Sequence, residues 1–387
     1  MSPTNLPAPT APENRAMPRI YLLHKSLGLG GAELALLQIA RAYREKGCPV
    51  TWIYDRDGHL GPRVAEATGT APVHLRLPFP RSPLSLRHLP GFVLKMRAIL
   101  NQSPRPALLV AGDFLTLPAA LWARRKQDKV VGLWQGEYRF SDDSCLRKWV
   151  RHGALRADRL LASEPVLAHL TAQGPLAVPL RPLNPCVETG AFLGLRDSPL
   201  REQVRQEWGV EKNERVALCV GRIGEGKGQP WLLRKFIETP DLRRDWRLFF
   251  VGPADPKETP SWEKLVAQAG NGCRWLGPSD DVARLMAGAN CLLFPGTVNE
   301  SFGMTMLEAA LTRLPMLCYP VGALPHLFGD DFRGFVRPTG DQDAFIDAWR
   351  HIDQRPAEPD GFADALHQRF NKGRWQENLA EVLQLLA

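Results

Sequence analysis

Short apolar runs alternate along this chain with segments whose apolar residues recur at helical spacing. The first run, "RIYLLH" at 19–24, is followed by "GAELALLQIARAYREKG" at 31–47, which has helical spacing and ends on the typical helix terminator Gly47. Other runs predicted as buried strands in this half are 50–54, 106–110, 129–134 and 158–163. Because strands that alternate with helices form right-handed crossovers, this half predicts a mostly parallel sheet.

The same alternation restarts after a turn-rich segment. "PLRPLNPCVETGAFLGLRDSP" at 179–199 predicts the linker between two domains. Further strands are predicted at 215–222, 246–252, 273–277, 290–296 and 315–320. The pattern therefore predicts two doubly wound domains in tandem. Ligands in such sheets bind beyond the carboxyl ends of the strands, which directs attention to the loops after residues 24, 221, 252 and 294.

Composition excludes several classes of protein. A length of 387 residues exceeds one ordinary core, and 44% apolar with 23% charged residues is typical of a soluble globular protein. The seven cysteines are scattered singly, which favours reduced thiols in a cytoplasm over structural zinc or a disulfide framework. No apolar run reaches the roughly 18 residues of a membrane span. The Pro-rich stretch 1–17 lacks the apolar centre of a signal peptide, so we expect a disordered lead.

The loop after the first strand, "KSLGLGGAE" at 25–33, is rich in glycine. Gly28, Gly30 and Gly31 open a helix, and a helix N-terminus suits an anion. As a dinucleotide fingerprint the loop fails, because Glu33 stands where the last glycine belongs. Asp55, after the second strand, could imitate the ribose-binding acid of that fingerprint, so an NAD(P)-dependent oxidoreductase stays as an alternative. Glycines that only permit a tight turn fit equally well.

A second glycine-rich loop, "VGRIGEGKGQP" at 220–230, carries two cations. Arg222 and Lys227 beside backbone amides make a suitable pyrophosphate cradle, since each charge-assisted bond contributes roughly 1.5–3 kcal/mol. Lys227 is followed by Gly228, so the loop is not a Walker motif. The alternative is a solvated basic turn.

Two glutamates flank the start of a helix in "NESFGMTMLEAA" at 299–310. The helix is predicted to begin near Phe302 or Gly303, with the amides of Gly303 and Met304 facing the crevice. Glu300 then lies before the helix and Glu308 more than a turn inside it, too far apart for the acid–base pair of a glycosidase. They can instead hold two ends of one extended ligand: a sugar, a diphosphate and a ribose. The alternative for each residue is a helix cap or a solvated glutamate.

In combination these motifs resemble a known family. "GGAE" at 30–33, "VGRIGEGKG" at 220–228 and "NESFGMTMLEAALTRLPMLCYPVGALPHLF" at 299–328 occur in the order and domain positions of retaining glycosyltransferases with the GT-B fold. The chain resembles glycosyltransferase family 4 from about Arg19 to its C-terminus. The resemblance implies an α/β architecture in which two Rossmann-like, doubly wound parallel-sheet domains face a central cleft.

The resemblance also divides the chain. Residues 18–185 are expected to form an acceptor-binding domain and residues 186–372 a domain that binds the nucleotide-sugar donor. The segment 373–387 is expected to hold a helix that crosses back onto the N-terminal domain. The disordered lead at 1–17 precedes all three.

By the same resemblance, residues of the second domain receive roles. Arg222 and Lys227 are expected to hold the diphosphate, Glu308 the ribose hydroxyls, and Glu300 the donor sugar; Arg222, Lys227 and Glu300 are the expected catalytic residues. The full expected donor site consists of Gly30, Gly31, Arg222, Lys227, Glu300, Ser301, Phe302, Gly303, Met304 and Glu308. The donor is a nucleotide-diphosphate sugar, with UDP the more usual carrier than GDP. The family implies no further cofactor and no catalytic metal.

One position departs from the family pattern. Members often carry His-Gly after the strand that faces the donor sugar, whereas this chain has Gln135-Gly136. Gln can donate to a hydroxyl but carries no charge. Transfer can survive, because the family mechanism uses a leaving diphosphate oxygen as the base. Gln135, Gly136, Glu137 and Asp113 are the candidate sugar or acceptor contacts, although both acids also suit ordinary loop positions.

Three further readings stay open. Asp55-Arg-Asp57 and Asp341-Gln-Asp343 match the D-x-D pattern of metal-dependent transfer, although such tripeptides are common by chance. A nucleotide-sugar epimerase shares the fold but not the whole motif set. A noncatalytic nucleotide-sugar binder is compatible with Gln135.

The net charge of +8 concentrates in part on one stretch. Between residues 76 and 105 there is no Asp or Glu, while the cations are Arg76, Arg81, Arg87, Lys95, Arg97 and Arg105. "SLRHLPGFVLKMRAIL" at 85–100 interleaves charge with apolar residues, as an interfacial helix does. Together with the family resemblance, this pattern implies a cytoplasmic enzyme of cell-envelope polysaccharide or glycolipid synthesis. Its acceptor is expected to be a glycan or lipid-linked glycan, with peripheral contact at an anionic membrane and no nucleic-acid partner. The alternative is an ordinary amphipathic helix.

Overall fold

The protein contains two parallel β-sheets, one in each half of the chain. The structure is a computed structural model that describes residues 17–28, 31–77, 87–103, 106–113, 115–134, 153–172, 177–298, 300–355 and 358–386. Within these residues no helix has the length and apolar character needed to cross a bilayer. The prediction of two doubly wound α/β domains is confirmed.

The first sheet has seven strands in the order β3-β2-β1-β4-β5-β6-β7, and every neighbouring pair is parallel. Its strands are β1 (Arg19–Ser26), β2 (Val50–Arg56), β3 (Val73–His74), β4 (Ala107–Ala111), β5 (Lys129–Trp134), β6 (Arg159–Ala162) and β7 (Leu180–Pro182). β1 pairs with β2 on one side and β4 on the other, so Ile20 lies beside both Val50 and Leu108. The strand order reverses here, and a ligand crevice is expected at such a switch point.

Helices cover both faces of this sheet. They are α1 (Gly31–Glu45), α2 (Gly61–Thr68), α3 (Leu89–Leu100), α4 (Leu117–Ala123) and α5 (Glu164–Ala172). Along β1 the side chains alternate: Ile20 and Leu22 pack with Leu36 of α1, whereas Tyr21 and Leu23 pack in the cluster that contains Met96 of α3. Both faces of β1 are therefore buried, which explains its continuous apolar run.

The second sheet has five parallel strands in the order β10-β9-β8-β11-β12. They are β8 (Arg215–Val220), β9 (Trp246–Val251), β10 (Cys273–Trp275), β11 (Cys291–Phe294) and β12 (Met316–Cys318). The order reverses between β8 and β11. The loops that follow these two strands are the ones that carry the motifs at 220–230 and 299–310.

The helices around the second sheet enclose one continuous apolar core. They are α6 (Leu200–Trp208), α7 (Gln229–Glu238), α8 (Pro240–Asp245), α9 (Thr259–Ala269), α10 (Val282–Gly288), α11 (Met304–Leu311), α12 (Leu324–Phe328), α13 (Gln342–Arg350) and α14 (Phe362–Phe370). Aromatic rings fill much of its centre: the Trp246 and Phe236 rings both lie against Trp349, at centroid distances of 5.7 and 5.6 Å. This packing supports the strand ends from which the site loops emerge.

The last helix, α15 (Lys372–Leu383), lies against the first domain. Its buried residues Trp375, Leu379 and Val382 share an apolar cluster with Ile20 and Leu22 of β1. The chain thus passes between the domains twice, once before α6 and once at the start of α15.

Two strands were not predicted from the sequence. β7 lies within the segment predicted as linker, where Leu180 pairs in parallel with Leu160 of β6, so the linker interpretation of 180–182 is wrong. Pro182 obscured this strand, but an edge strand tolerates proline because one side of its backbone needs no partner. β3 is only two residues long and gives no period that could be recognised.

Candidate functional site

A cleft of about 760 Å³ separates the two domains at the carboxyl ends of their central strands. A volume of this size suits a small-molecule ligand. The first domain contributes the loop after β1, the start of α1 and the ends of β5 and β6, and the second contributes the loops after β8 and β11. From the predicted donor site, the residues that line it are Gly31, Arg222, Lys227, Glu300, Ser301, Phe302, Gly303 and Met304.

Glycine allows the loop after β8 to approach the end of β11. Gly228 has φ of 82°, and a Cβ there would lie 2.4 Å from the Pro295 carbonyl oxygen. A side chain at this position would therefore push the two loops apart. The close approach brings Lys227 beside Glu300, while Arg222 is exposed in the cleft and makes no ion pair with any carboxylate in the described part of the chain.

The carboxylate of Glu300 is bound on both oxygens. Its Oε2 accepts from Lys227 Nζ at 2.7 Å, and its Oε1 accepts from the Gly303 N–H at 3.2 Å. The Glu300 carbonyl accepts from the Ala323 N–H at 2.7 Å, which fixes the loop from below. A cation and a helix-start amide are groups that bind phosphate, so the carboxylate occupies an anion site.

Helix α11 begins later than the sequence indicated. It starts at Met304, because Gly303 has φ of 86° and so lies in the left-handed region, outside helical geometry. Gly303 lines the cleft, where its amide donates to the Glu300 carboxylate. Phe302 and Met304 also line the cleft, and both belong to the predicted donor site.

Glu308 lies in the second turn of α11 and is half-buried. Burial raises the pKa of its carboxyl group to about 8. At neutral pH this carboxyl group is therefore largely protonated. It does not belong to the residues that line the cleft, so its ribose contact stays a prediction.

The first-domain wall contains a polar network that sequence reasoning missed. Ser26 Oγ donates to Glu33 Oε1 at 3.0 Å, and the fully buried His24 has Nδ1 3.0 Å from the Ser26 carbonyl oxygen. Both Ser26 and Glu33 line the cleft. In the sequence Glu33 stands out as the residue that breaks a dinucleotide fingerprint and as the last residue of "GGAE", and neither feature indicates a contact with Ser26. A short apolar strand around His24 gives no signal of its own.

Asp113 lies next to this network, with its Oδ2 3.6 Å from His24 Nε2, and it does not line the cleft. Its carboxylate accepts from the backbone N–H groups of Lys25, Leu115 and Thr116 at 3.1, 2.8 and 3.0 Å. Three such bonds favour a structural role for Asp113 over the predicted acceptor contact. The other candidates for sugar or acceptor contact, Gln135, Gly136 and Glu137, lie outside the described residues, as does Gly30.

The two D-x-D segments have other partners. Asp341 caps α13 by accepting from the Ala344 N–H at 2.9 Å, and Asp343 accepts from Lys235 Nζ at 2.9 Å. Asp55 accepts from the Leu77 N–H at 3.0 Å. None of the three lines the cleft, and among the described residues no group of three or more His, Cys, Asp or Glu is arranged to hold a metal ion.

Two family models match the chain. "Glycosyl transferases group 1" matches residues 201–364, and "Glycosyl transferase 4-like domain" matches residues 30–183. The first match covers the loops after β8 and β11, and the second covers the parts of the opposite wall that α1, β5 and β6 provide.

Curated relatives match over part of their length. The D-inositol 3-phosphate glycosyltransferase of Nocardioides sp. is 28% identical over 51% of this chain and 46% of the relative. The lipopolysaccharide glucosyltransferase WaaG of Escherichia coli is 31% identical over 35% of this chain and 36% of the relative. The chain thus spans less than half the length of these relatives.

Solved structures match over nearly the whole chain. Anabaena Alr3699/HepE in complex with UDP and glucose has a TM-score of 0.74 at 22% identity, covering 95% of this chain and 99% of that one. WaaG, a glycosyltransferase involved in lipopolysaccharide biosynthesis, has a TM-score of 0.65 at 17% identity, again over 95% of this chain and 99% of that one. At these identities the likeness shows the fold.

Proposed function

Because the chain belongs to the group 1 glycosyl transferases of the GT-B fold, we propose that it transfers a sugar from a nucleotide-diphosphate sugar to a hydroxyl of a glycan or lipid-linked glycan acceptor. The observation that carries the proposal is the cleft that joins Arg222, Lys227, Glu300 and the start of α11 opposite the wall of the first domain. UDP is the proposed carrier, and the complex of Anabaena Alr3699/HepE with UDP and glucose supports that choice.

The ion pair in the cleft suggests how the donor binds. The diphosphate takes the place of Glu300 at Lys227 Nζ, with Arg222 as its second cation. Glu300, released from Lys227, then accepts from hydroxyls of the donor sugar. Glu308 accepts from the ribose hydroxyls in its ionised form, which such bonds stabilise.

The proposed transfer retains the configuration of the donor carbon. The acceptor hydroxyl attacks from the face that the diphosphate leaves, and a diphosphate oxygen takes its proton. The bond from the donor carbon to the diphosphate breaks as the bond to the acceptor oxygen forms. Arg222 and Lys227 stabilise the negative charge that grows on the diphosphate, so the step needs no metal ion.

The acceptor is proposed to lie at an anionic membrane. On α3, Phe92, Met96 and Leu100 are buried, whereas Leu94 is 71% exposed beside the exposed Lys95 and Arg97. An exposed leucine among cations suits the boundary between headgroups and acyl chains. A role in cell-envelope polysaccharide or glycolipid synthesis agrees with this surface and with the name of the lipopolysaccharide relative.

A ligand panel and a turnover assay test the proposal. Thermal unfolding is measured with nucleoside diphosphates and nucleotide sugars, where a ligand at 100 times its Kd adds about 2.7 kcal/mol of stability. Release of the nucleoside diphosphate is then followed with and without acceptor, and with and without a chelator. We expect acceptor-dependent release that survives chelation.

The other outcomes separate the alternatives. A changed sugar without acceptor identifies an epimerase, and binding without any turnover identifies a noncatalytic binder. Activity that the chelator abolishes and manganese restores contradicts metal-independent transfer.

A further inference from the structure

A chain of contacts connects the first domain to the loop at 300–304 in the second. Glu164, the first residue of α5, follows Ser163, which lines the cleft. Its Oε2 accepts from Nε and Nη2 of Arg369, near the end of α14, at 3.0 and 2.6 Å. The Arg369 and Glu164 side chains are 31% and 26% exposed, so this ion pair is partly shielded from solvent.

The Glu164 carboxylate is held firmly in its own domain. Its Oε1 accepts from Asn184 Nδ2 at 3.1 Å, and its backbone N–H donates to Asn184 Oδ1 at 2.9 Å. Asn184 follows the edge strand β7 and also lines the cleft. Because both carboxylate oxygens are engaged, Arg369 meets a fixed anchor.

On its other side, Arg369 reaches the donor loop through two aromatic rings. Its guanidinium carbon lies 4.8 Å from the centre of the Phe370 ring. The Phe370 ring packs edge to face on Phe302, at a centroid distance of 5.5 Å. A direct link runs beside this path, since Ser163 Oγ donates to the Ser301 carbonyl oxygen at 3.5 Å. Ser301 and Phe302 belong to the loop whose Glu300 binds Lys227.

We infer that Arg369 is a positioning residue that ties the loop at 300–304 to the first domain. A change in the distance between the domains displaces Arg369. The Phe370–Phe302 contact transmits this displacement to the loop that carries the Glu300 carboxylate. The contact between Lys227 and Glu300 therefore forms with this geometry only when the two domains have the relative position seen in this structure. The consequence for sugar transfer rests on the proposed function, whereas the tie itself does not.

Amide hydrogen exchange over residues 300–311 tests the tie without any nucleotide. In Arg369→Gln the Phe302 and Gly303 amides should exchange about threefold to tenfold faster, because a partly shielded charge-assisted bond is lost. The matched control is Lys372→Gln, which removes the 3.0 Å pair of Lys372 with Glu188 at the same crossing but touches no residue of the loop. Its exchange should equal that of the wild type.

A double-mutant cycle separates the tie from a general loss of stability. If the Glu164–Arg369 pair acts as a unit, Glu164→Gln combined with Arg369→Gln should exchange no faster than either single variant. Arg369→Lys, which keeps the charge but loses the fork geometry, should lie between wild type and Arg369→Gln. Unchanged exchange in Arg369→Gln, or equal acceleration in Lys372→Gln, overturns the inference.

Turnover provides the second readout. With a nucleotide-sugar substrate, Arg369→Gln should lower kcat by about threefold to tenfold while its thermal midpoint stays with that of Lys372→Gln. If kcat falls only to the extent that the thermal midpoint falls, the positioning role of Arg369 is contradicted. If the wild type turns over no nucleotide sugar but the exchange result holds, the tie stands and the proposed function fails.

Discussion

Lys227 Nζ lies 2.7 Å from Glu300 Oε2, so the residue assigned to the diphosphate and the residue assigned to the donor sugar form an ion pair with each other. Their side chains are 30% and 16% exposed, and Glu300 also accepts from the Gly303 amide. An incoming diphosphate meets a cation that is already paired. Binding of the diphosphate therefore replaces the Glu300 carboxylate at Lys227. Diphosphate binding by Lys227 and sugar binding by Glu300 are linked in this way.

The first prediction concerns the cations of the cleft. Lys227→Ala and Arg222→Ala should each lower kcat by about 10²–10³-fold, with a smaller effect on donor affinity, because charge grows on the diphosphate as its bond to the sugar breaks. Steady-state kinetics with a nucleotide sugar measures both effects. Arg234→Ala is the control, since Arg234 pairs with Glu225 of the same loop outside the cleft. A raised KM with unchanged kcat would assign the cation to ground-state binding only.

The second prediction links nucleotide binding to the protonation of Glu308. Ribose hydroxyls prefer the ionised carboxylate, whose pKa is about 8 in this structure, so affinity should rise up to tenfold per pH unit below that value and level off above it. Glu308→Ala should weaken binding by about 1.5–3 kcal/mol at pH 8. Calorimetry across pH 6 to 9 measures both.

Phosphate ionisation also changes over this range, so Glu308→Gln is the control for the pH dependence. The part of the slope that belongs to Glu308 should vanish in this variant. A folded Glu308→Ala protein that binds the nucleoside diphosphate as tightly as the wild type contradicts the ribose assignment.

The third prediction concerns stability without nucleotide. The folded protein raises the pKa of Glu308 from 4.5 to about 8, so between these values it holds a proton that the unfolded chain has lost. Stability from this group should therefore fall as pH rises through that window, by at most about 1.4 kcal/mol per unit. Glu308→Gln removes this dependence. As pH rises from 5 to 8, the urea midpoint of the wild type should fall relative to that of Glu308→Gln. A constant difference between the two midpoints would contradict the effect of burial on Glu308.

The fourth prediction tests the exposed face of α3 together with Arg87, which lies just before this helix. Replacing Arg87, Lys95 and Arg97 by Gln should release the protein from anionic vesicles, since each cation near the surface contributes roughly 1 kcal/mol. The difference should shrink at 1 M salt, where the Debye length is about 3 Å. Sedimentation with anionic and neutral vesicles measures this.

The matched control for α3 carries the same change of charge elsewhere. Arg243, Lys257 and Lys264 are exposed in the second domain, and replacing them by Gln should leave vesicle binding intact. Equal loss in both triple variants would indicate a response to net charge alone. Absence of vesicle binding by the wild type would favour an acceptor in solution.

The sequence predicted the long buried strands well, because β1 and β8 are covered on both faces and read as continuous apolar runs. It could not show β7, where Pro182 resembles a turn and only the pairing with β6 reveals a strand. In the site, the carboxyl ends of the predicted strands indicated which loops line the cleft. The sequence did not predict that Glu300 accepts from Lys227, since that contact depends on the close approach of Gly228 to Pro295.

The position of α15 has a consequence for the order of folding. Trp375, Leu379 and Val382 complete the apolar face formed by Ile20 and Leu22, yet about 350 residues separate them along the chain. At a synthesis rate of about 5–20 residues per second, α15 becomes available to pack on this face only many seconds after β1 is made. The core of the second domain includes Leu366 and Phe370, so it is complete only shortly before Trp375 is made. We therefore expect the first domain to become fully protected last, although the ribosome makes it first.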